Sequence, residues 1–442
     1  MCSVKKKRKK RISLGSVFMI LLTAAVAAGC MLFLSVLVGD DIYERTGELM
    51  RTLAEQGLLA PNVQMQAPVQ SQSEQVLLWD EEETPKPMQP VATPEYVPQK
   101  STISIAVAGS VYAPKAVRQS AQSGRNFDFG PVFGGVSRAL SDADLTIATL
   151  ETMTAGDETG FDNYNAPPQI LDALRSAGVD LFSLATEHVL DAGYEGLDLT
   201  VSELTARGLA YAGVNPDGGA GSASMMRIGG IQVAVLAYTY GLSDEGAQKS
   251  QNDKRAVVPL MDKARMIRDI TQARVSGANL VIVLPHWGTK NKQETPENLR
   301  VLACELAEAG ADVIVGTHPN VVQGAERLRV TRADGLSYEA VVCYSLGTLL
   351  TDARTAENTA GMIAKLRVTY DPANRRTTLS DLKTVPVYIA RQREEEKMVY
   401  RVVDAGDETA VSALAQDEQN AAREAAASVQ RTVQPGVEEG HG

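Results

Sequence analysis

The alternation of two apolar patterns constrains the fold of this chain more than any other feature. Between residues 102 and 390, short continuous apolar runs alternate with longer segments whose apolar residues recur every three or four positions. The runs are typical of buried strands, and the periodic segments are typical of amphipathic helices. The predicted strands are residues 103–108, 145–148, 181–185, 231–238, 280–284, 313–315 and 341–344, and the predicted helices are residues 168–177, 194–207, 263–276 and 297–309. This pattern predicts an α/β fold with the sheet covered on both faces, in one domain over residues 101–390.

The N-terminal segment predicts a membrane anchor. Residues 1–11 carry seven Lys and Arg and no acidic residue, and residues 12–39 form an uninterrupted uncharged stretch. A helix needs about 20 apolar residues to span a hydrocarbon core of roughly 30 Å, so this stretch can cross with some tilt. The positive-inside rule predicts a cytoplasmic N-terminus and a single-pass cell-membrane protein whose C-terminal domain lies outside the cytoplasm. A cleaved signal or a lipoprotein signal is the alternative, because Cys30 follows a run of small residues.

Two polar segments flank the predicted domain. Residues 40–100 begin with a short amphipathic stretch, a predicted juxtamembrane helix, and continue as sequence rich in Pro, Gln, Glu and Ser. Such a composition buries too little apolar surface to offset the entropy of ordering, so a disordered linker is predicted there. Residues 391–442 are rich in Ala, Glu and Gln, which predicts a polar C-terminal tail that is either a solvated helix or disordered.

The net charge and the cysteines exclude some classes of protein. A net charge of −11 argues against nucleic acid as a partner, because phosphate binding needs a basic face. Cys304 and Cys343 are the cysteines of the predicted domain, and each lies in a segment typical of a buried helix or strand. Two packed free thiols are expected, and a bridge between them is left open. The pattern is unlike that of a disulfide-dense scaffold or a Cys-type zinc site.

Three of the four histidines follow predicted strands directly: His188, His286 and His318. Glu151 follows another predicted strand in the same way. In open α/β sheets the functional groups gather at the carboxyl ends of the strands, so these side chains are expected to converge. Neutral imidazole is a common ligand of transition metals. The sequence therefore predicts a shared polar cleft, whereas any one of these histidines alone more often has a structural role.

An ordered series of motifs runs over residues 102–370, namely residues 165–174, 183–193, 194–197, 237–241, 286–288, 309–319 and 344–347. Together these motifs resemble the CapA family of poly-γ-glutamate capsule proteins. The resemblance implies a fold similar to that of the calcineurin-like metallophosphoesterases, with a four-layer-like sheet core covered by helices. It also implies a two-metal centre of Asp, Asn and His at the strand ends, which would activate a water molecule and clamp a phosphoester.

The chain departs from this family pattern at several polar positions. Ser110 and Thr348 stand where the family has Asp and Asn, and their hydroxyls do not replace the lost oxygen ligands. Thr149 and Glu187 stand where the family has Asn, and Asn320 stands where it has His. Glu187 offers a carboxylate that partly compensates for these losses. The resemblance therefore implies one divalent metal, manganese, zinc or iron, rather than a metal pair.

The candidate site residues follow from the strand-end positions and from the resemblance. The predicted metal ligands are Glu151, Glu187, His286 and His318. The predicted catalytic residues are His188 and Asp191, with His188 as a general acid or a metal-proximal base. The predicted substrate-binding residues are Ser110, Trp287 and Asn320, with core packing as the alternative for Trp287.

Three functions remain open at the level of sequence. The resemblance, the anchor and the linker favour a membrane-anchored accessory protein in capsular polymer synthesis or export, which binds the polymer or its synthase complex. The alternative is a metal-dependent hydrolase of metallophosphoesterase type that acts on a phosphoester or on the γ-glutamyl polymer. The third is a domain of this family that has taken up a different ligand.

Overall fold

The computed structural model describes residues 99–157, 164–218, 223–251, 255, 257–332 and 335–438. The predicted anchor over residues 12–39 lies outside them, as do the predicted cytoplasmic segment and nearly all of the predicted linker. Within the described part of the chain, no helix combines the length and the apolar character needed to cross a membrane. The chain separates into the units Met1–Ala92 and Thr93–Gly442, and every described residue belongs to the second unit.

Strands and helices alternate through the described residues, as the apolar pattern predicts. In chain order the strands are β1 (Ser101–Val111), β2 (Gln122–Ser123), β3 (Asn126–Phe127), β4 (Leu145–Leu150), β5 (Leu181–Ser183), β6 (Ala210–Ala212), β7 (Ala223–Ile228), β8 (Ile231–Thr239), β9 (Leu280–His286), β10 (Val313–Val315), β11 (Ala325–Thr331), β12 (Ser337–Cys343), β13 (Thr348–Leu350), β14 (Ala360–Asp371), β15 (Arg376–Glu394) and β16 (Lys397–Asp404). The helices are α1 (Lys115–Ala121), α2 (Gly130–Phe133), α3 (Ser137–Ser141), α4 (Gln169–Ala177), α5 (Gly193–Ala206), α6 (Asp244–Ser250), α7 (Lys263–Val275), α8 (Glu297–Ala309), α9 (Glu408–Ser412) and α10 (Gln416–Glu438). Every strand and helix predicted within residues 101–390 overlaps a member of this series.

Most of these strands form two large sheets. Over the described residues the first sheet has the order β16-β15-β14-β1-β4-β5-β6, with β13 also paired to β1, and the second has the order β11-β12-β10-β9-β8-β7. Strands β1, β4, β5 and β6 run parallel to one another, and so do β8, β9, β10 and β12. Antiparallel strands lie on one side of the parallel strands in the first sheet and on both sides in the second. The parallel strands of each sheet place their carboxyl ends along one edge, which is where functional groups are expected.

The two sheets pack face to face, and helices cover the outer face of each. Between the sheets, Ile105 and Ile147 of the first sheet share one core with Val235 and Ile282 of the second. On the outer face of the first sheet, Ala106 packs in a second core with apolar residues of α4 and α5. A third core joins the outer face of the second sheet to α7 and α8. The predicted α/β class is confirmed, and one face of each sheet is covered by the other sheet.

The C-terminal region differs from the predicted polar tail over residues 391–442. Strand β15 continues to Glu394, past the predicted boundary at residue 390, and β16, α9 and α10 follow it. Helix α10 buries Ala422, Ala425 and Val429 in the core between the sheets. The prediction of a tail is therefore wrong over the described residues. The buried residues of α10 are alanines and valines at three- and four-residue spacing, and the Ala-, Glu- and Gln-rich composition around them is what favours a solvated tail in the sequence.

The two cysteines of the domain are free and buried, so the expectation of packed thiols is confirmed for Cys304 and Cys343. Burial raises the pKa of the Cys343 thiol to about 12. This thiol is therefore uncharged at neutral pH and serves as a small apolar core residue.

Substitution of Val429 tests whether α10 belongs to the core. Val429→Asp places a carboxylate among buried apolar side chains. It should lower the free energy of unfolding by about 3 kcal/mol or more, because an unpaired buried charge is strongly unfavourable. Gln430→Asp is the matched control, since Gln430 is exposed on the same helix, and its effect should stay below about 0.5 kcal/mol. Urea denaturation of the full chain measures both, and equal effects would contradict the packed position of α10.

Candidate functional site

Acidic and histidine side chains converge where parallel strands of both sheets end. Glu151 follows β4, Glu187 and His188 follow β5, His286 ends β9, and His318 follows β10. All five residues are buried. Strands β4 and β5 belong to the first sheet, whereas β9 and β10 belong to the second. The structure thus brings these predicted site residues together at the carboxyl ends of both sheets.

The carboxylate of Glu187 is the centre of this group. Its Oε2 lies 2.5 Å from His286 Nε2 and 3.0 Å from His318 Nδ1. Its Oε1 lies 2.8 Å from Lys290 Nζ, in an ion pair rather than an aligned hydrogen bond, and 3.4 Å from His188 Nε2. Burial by itself raises the pKa of Glu187, but the hydrogen bonds from the imidazoles outweigh burial and hold this pKa far below its usual range. Glu187 is therefore ionised, and we call Glu187, His286 and His318 the Glu187 cluster.

The imidazole of His286 is held on both of its nitrogen atoms. Its Nδ1 lies 2.9 Å from Thr317 Oγ1, and its Nε2 faces Glu187 and lies 4.0 Å from Glu151 Oε1. An ionised carboxylate only accepts hydrogen bonds, so Nε2 carries a proton in this arrangement. A polar partner of this kind fixes the orientation of the ring, as is usual for histidines that bind metals.

Two loops at the site contain residues in the left-handed backbone region. His318, Asn320 and Asn291 have φ angles of 97°, 60° and 61°. The backbone N–H of Asn291 donates to the carbonyl of Pro319 at 2.7 Å. The side chain of Asn358 donates to Asn291 Oδ1 at 2.8 Å and to the carbonyl of Asn320 at 3.0 Å. These bonds tie the two loops together and offset a strain of roughly 1–3 kcal/mol for each unfavourable backbone conformation.

His188 forms a dyad with Asp191. Its Nδ1 lies 2.7 Å from Asp191 Oδ2, and Ser243 donates its hydroxyl hydrogen to the other oxygen of that carboxylate. The ring of Tyr164 stacks on the imidazole, with ring centroids 3.3 Å apart. Burial lowers the pKa of His188, but the bond with Asp191 and the charge of Glu187 outweigh it and raise this pKa to about 9. His188 is therefore protonated at neutral pH.

Several buried polar atoms near the Glu187 cluster have no hydrogen-bond partner among the described residues: Ser110 Oγ, Glu151 Oε1, Thr186 Oγ1 and His188 Nε2. Buried polar groups are normally paired, so this concentration is typical of a ligand-binding site. Each side chain of the cluster offers one ligand atom, and these atoms lie within 4.8 Å of one another. One carboxylate and two imidazoles suit manganese, iron or zinc. The residues therefore fit one divalent ion.

The predicted substrate-binding residues have different surroundings. Ser110 lies near the end of β1, in register with Thr348 and Thr149 of the neighbouring strands. Trp287 points away from the cleft, because its Nε1 donates to the carbonyl of Tyr344 at 2.9 Å and its ring packs in the core on the outer face of the second sheet. This placement supports the packing interpretation of Trp287 and corrects the prediction that it binds substrate. The contact described for Asn320 is made by its backbone carbonyl, so substrate binding by its side chain stays a prediction.

Sequence reasoning does not identify two residues at the mouth of the cleft. Lys290 lies in the loop after β9, with its side chain 45% exposed. Partial burial lowers its pKa, but the contact with Glu187 outweighs burial and raises this pKa, so the ammonium stays charged. Tyr240 follows β8, is 50% exposed, and has its ring centroid 4.5 Å from that of His318. A lysine in a polar loop carries no distinguishing signal, whereas Tyr240 lies in one of the family-like motifs.

Comparison with known proteins shows similarity to a family and to curated relatives. The model of the family described as bacterial capsule synthesis protein PGA_cap matches residues 104–353. The capsule biosynthesis protein CapA of Bacillus anthracis is 26% identical over 233 residues, which cover 50% of this chain and 54% of that protein. The PGA biosynthesis protein CapA of Bacillus subtilis is 29% identical over 181 residues, covering 40% of this chain and 44% of that protein. A probable polyglutamine synthesis accessory protein of Mycobacterium tuberculosis is 25% identical over 269 residues, covering 57% and 67%. The chain thus spans about half the length of the two Bacillus proteins.

Solved structures show a weaker similarity. The NAD nucleotidase of Haemophilus influenzae is 13% identical with a TM-score of 0.41, over 76% of this chain and 57% of that one. A calcineurin-like phosphoesterase of Bacillus subtilis is 12% identical with a TM-score of 0.39, over 74% of this chain and 100% of that one. Similarity at this level says nothing about activity.

The dyad of His188 and Asp191 predicts a pH-dependent stability. The pKa of His188 rises from an ordinary value of 6.5 to about 9 on folding, so the folded state binds the proton more tightly. The resulting stabilisation is complete below pH 6.5 and is lost as the pH rises through about 9. Relative to His188→Gln, the metal-free chain should therefore lose on the order of 2 kcal/mol of unfolding free energy over this interval. Denaturant unfolding at a series of pH values measures the difference, and a difference independent of pH would contradict the raised pKa.

Proposed function

Since the chain belongs to the bacterial capsule synthesis protein PGA_cap family, we propose that it is an accessory protein in the synthesis or export of a capsular polymer of the poly-γ-glutamate type. The names of the relatives support this role, because they refer to capsule biosynthesis, PGA biosynthesis and polyglutamine synthesis. The partners in this proposal are the polymer and its synthase complex.

The Glu187 cluster holds one divalent ion in this proposal, and the domain acts by binding. The supporting observation is that one ionised carboxylate and two imidazoles meet within 4.8 Å at the strand ends. Ser110 and Thr348, which stand beside each other in the first sheet, offer only hydroxyls to a second ion. A bound divalent ion supplies positive charge, which would attract the carboxylate groups of an anionic polymer.

The proposal also places the domain outside the cytoplasm, on an anchor formed by residues 12–39. The uncharged stretch is long enough to span a bilayer, and the seven basic residues before it suit the cytoplasmic side. Residues 40–100 then act as a linker that lets the domain reach polymer as it leaves the membrane.

A metal-dependent hydrolase is the second candidate, and the His188 dyad favours it. Asp191 holds Nδ1 of His188 at 2.7 Å, while Nε2 lies 3.4 Å from Glu187 Oε1 and has no hydrogen-bond partner among the described residues. A protonated imidazole held in this way is able to donate its proton to a leaving group. His188 would then be the general acid, with a phosphoester or the γ-glutamyl polymer as the substrate.

Metal content tests the proposed site. The purified full chain, reconstituted with manganese, zinc or iron and then desalted, should retain close to one ion per chain. The double variant His286→Ala/His318→Ala should retain none, because it removes two of the three ligands of the Glu187 cluster. Elemental analysis by mass spectrometry gives the stoichiometry.

His441→Ala is the matched control for this experiment, since it removes a histidine that is not one of the three proposed ligands, and it should retain the ion. If the unmodified chain retains none of the three metals, the proposed metal site is wrong. Turnover of a phosphoester or of poly-γ-glutamate by the loaded chain, abolished in His188→Gln, would favour the hydrolase over the binding role.

Capsule production in cells tests the accessory role and the anchor together. In a host that lacks its own copy of this gene, the full chain should restore cell-bound polymer, and a chain without residues 12–39 should not, because the domain would stay on the wrong side of the membrane. Polymer is quantified after acid hydrolysis as released glutamate. Equal restoration by both chains would overturn the anchor, and no change in polymer with either chain would overturn the accessory role.

A further inference from the structure

The ammonium of Lys290 occupies one side of the Glu187 carboxylate. Lys290 Nζ lies 2.8 Å from Oε1 of Glu187, while His286 and His318 contact Oε2. The Glu187 side chain is 3% exposed and the Lys290 side chain is 45% exposed. The ammonium of Lys290 therefore reaches the buried carboxylate from the solvent side. The two oxygens of one buried carboxylate therefore have different neighbours. Oε1 faces the ammonium of Lys290 and, at 3.4 Å, the protonated imidazole of His188, whereas Oε2 faces the imidazoles of His286 and His318.

The loop that carries Lys290 is anchored on both sides of this residue. His286, four positions earlier, is held by Thr317 and Glu187. Directly after Lys290, the backbone N–H of Asn291 donates to the carbonyl of Pro319 at 2.7 Å. The side chain of Gln323 donates to the carbonyl of Lys292 at 2.7 Å. The backbone position of Lys290 is thus fixed against the loop that follows β10, and only its side chain is free to move.

Other unpaired polar atoms share the cleft with Glu187 Oε1. His188 Nε2 is 3.4 Å from that oxygen, and Glu151 Oε1 lies 4.0 Å from His286 Nε2. Both atoms are buried and have no hydrogen-bond partner among the described residues. The Glu151 oxygen is a metal ligand by type, whereas His188 is protonated, so its imidazolium repels a cation near Oε1 as the ammonium of Lys290 does.

We propose that Lys290 is a tethered cation that neutralises Glu187 on its Oε1 side, so that the cleft accepts a single exchangeable divalent ion on the Oε2 side. This inference rests on the proposed metal site and adds that the charge of Lys290 limits this site to one ion. The ammonium repels a second cation near Oε1, and it weakens the binding of the first through the same short-range repulsion. In the metal-free chain it balances the buried charge of Glu187.

Substitution of Lys290 tests this role through metal binding and stability. Lys290→Met keeps most of the side-chain volume and removes the charge, so titration calorimetry of the metal-free full chain with manganese should show about tenfold tighter binding or a second ion. The melting temperature of metal-free Lys290→Met should be lower than that of the unmodified chain, and saturating manganese should reverse the difference. Lys290→Arg keeps the charge and should behave like the unmodified chain. Lys292→Met, an exposed position of the same loop, is the matched control and should change neither property.

The outcomes separate this inference from the proposed metal site. Unchanged affinity, stoichiometry and metal-free stability in Lys290→Met would overturn the inference while leaving a metal site intact. Binding by Lys290→Met but not by the unmodified chain would support the tethered cation and overturn the proposed metal occupancy of the natural protein. Absence of binding in both chains would overturn both. If Lys290→Met does not fold, Lys290→Gln is used in its place under the same criteria.

Discussion

The buried negative charge of Glu187 is the interaction on which the rest of the site depends. The first sheet supplies the carboxylate, and the second sheet supplies His286, His318 and Lys290. An ionised carboxylate in a buried position is strongly unfavourable unless it is paired and hydrogen-bonded. The carboxyl ends of the two sheets must therefore stay within a few ångströms of each other for Glu187 to remain ionised. The contacts of Glu187 therefore also hold the carboxyl ends of the two sheets together.

The backbone is strained at a residue that forms the site. His318 adopts a φ of 97°, which is uncommon for any residue other than glycine, and it does so where its Nδ1 reaches Glu187. Asn358 stabilises the arrangement from outside, since its amide bridges the two loops that carry His318 and Lys290. The ligand side chains are thus placed by a network that extends well beyond the cluster. Such support is what a metal or ligand site requires if its geometry is to persist before anything binds.

Sequence patterns predict the fold well where each element has a strong local signal. The strands are continuous runs of large apolar residues, and the helices α4, α5, α7 and α8 have clear periodicity, so these elements are found where the pattern predicts them. Helix α10 is not predicted as a core element, because its buried alanines and valines lie in a segment whose Ala-, Glu- and Gln-rich composition favours a solvated tail. Only contact with β14, β15 and β11 makes these residues part of the core. The exposure of a weakly apolar helix is therefore decided by its neighbours.

The sequence by itself determined the α/β class and the positions of three histidines and two glutamates after strands. These are properties of local order along the chain, which apolar periodicity and residue type record directly. Only the tertiary structure decided that Trp287 faces a core while its neighbour His286 faces the cleft, because successive residues at the end of a strand point to opposite sides. It also decided that Lys290 reaches Glu187, a contact 103 positions apart in the chain that depends on two sheets closing against each other. Long-range pairing of this kind leaves no periodic trace in the sequence, because its energy arises only after the chain has folded.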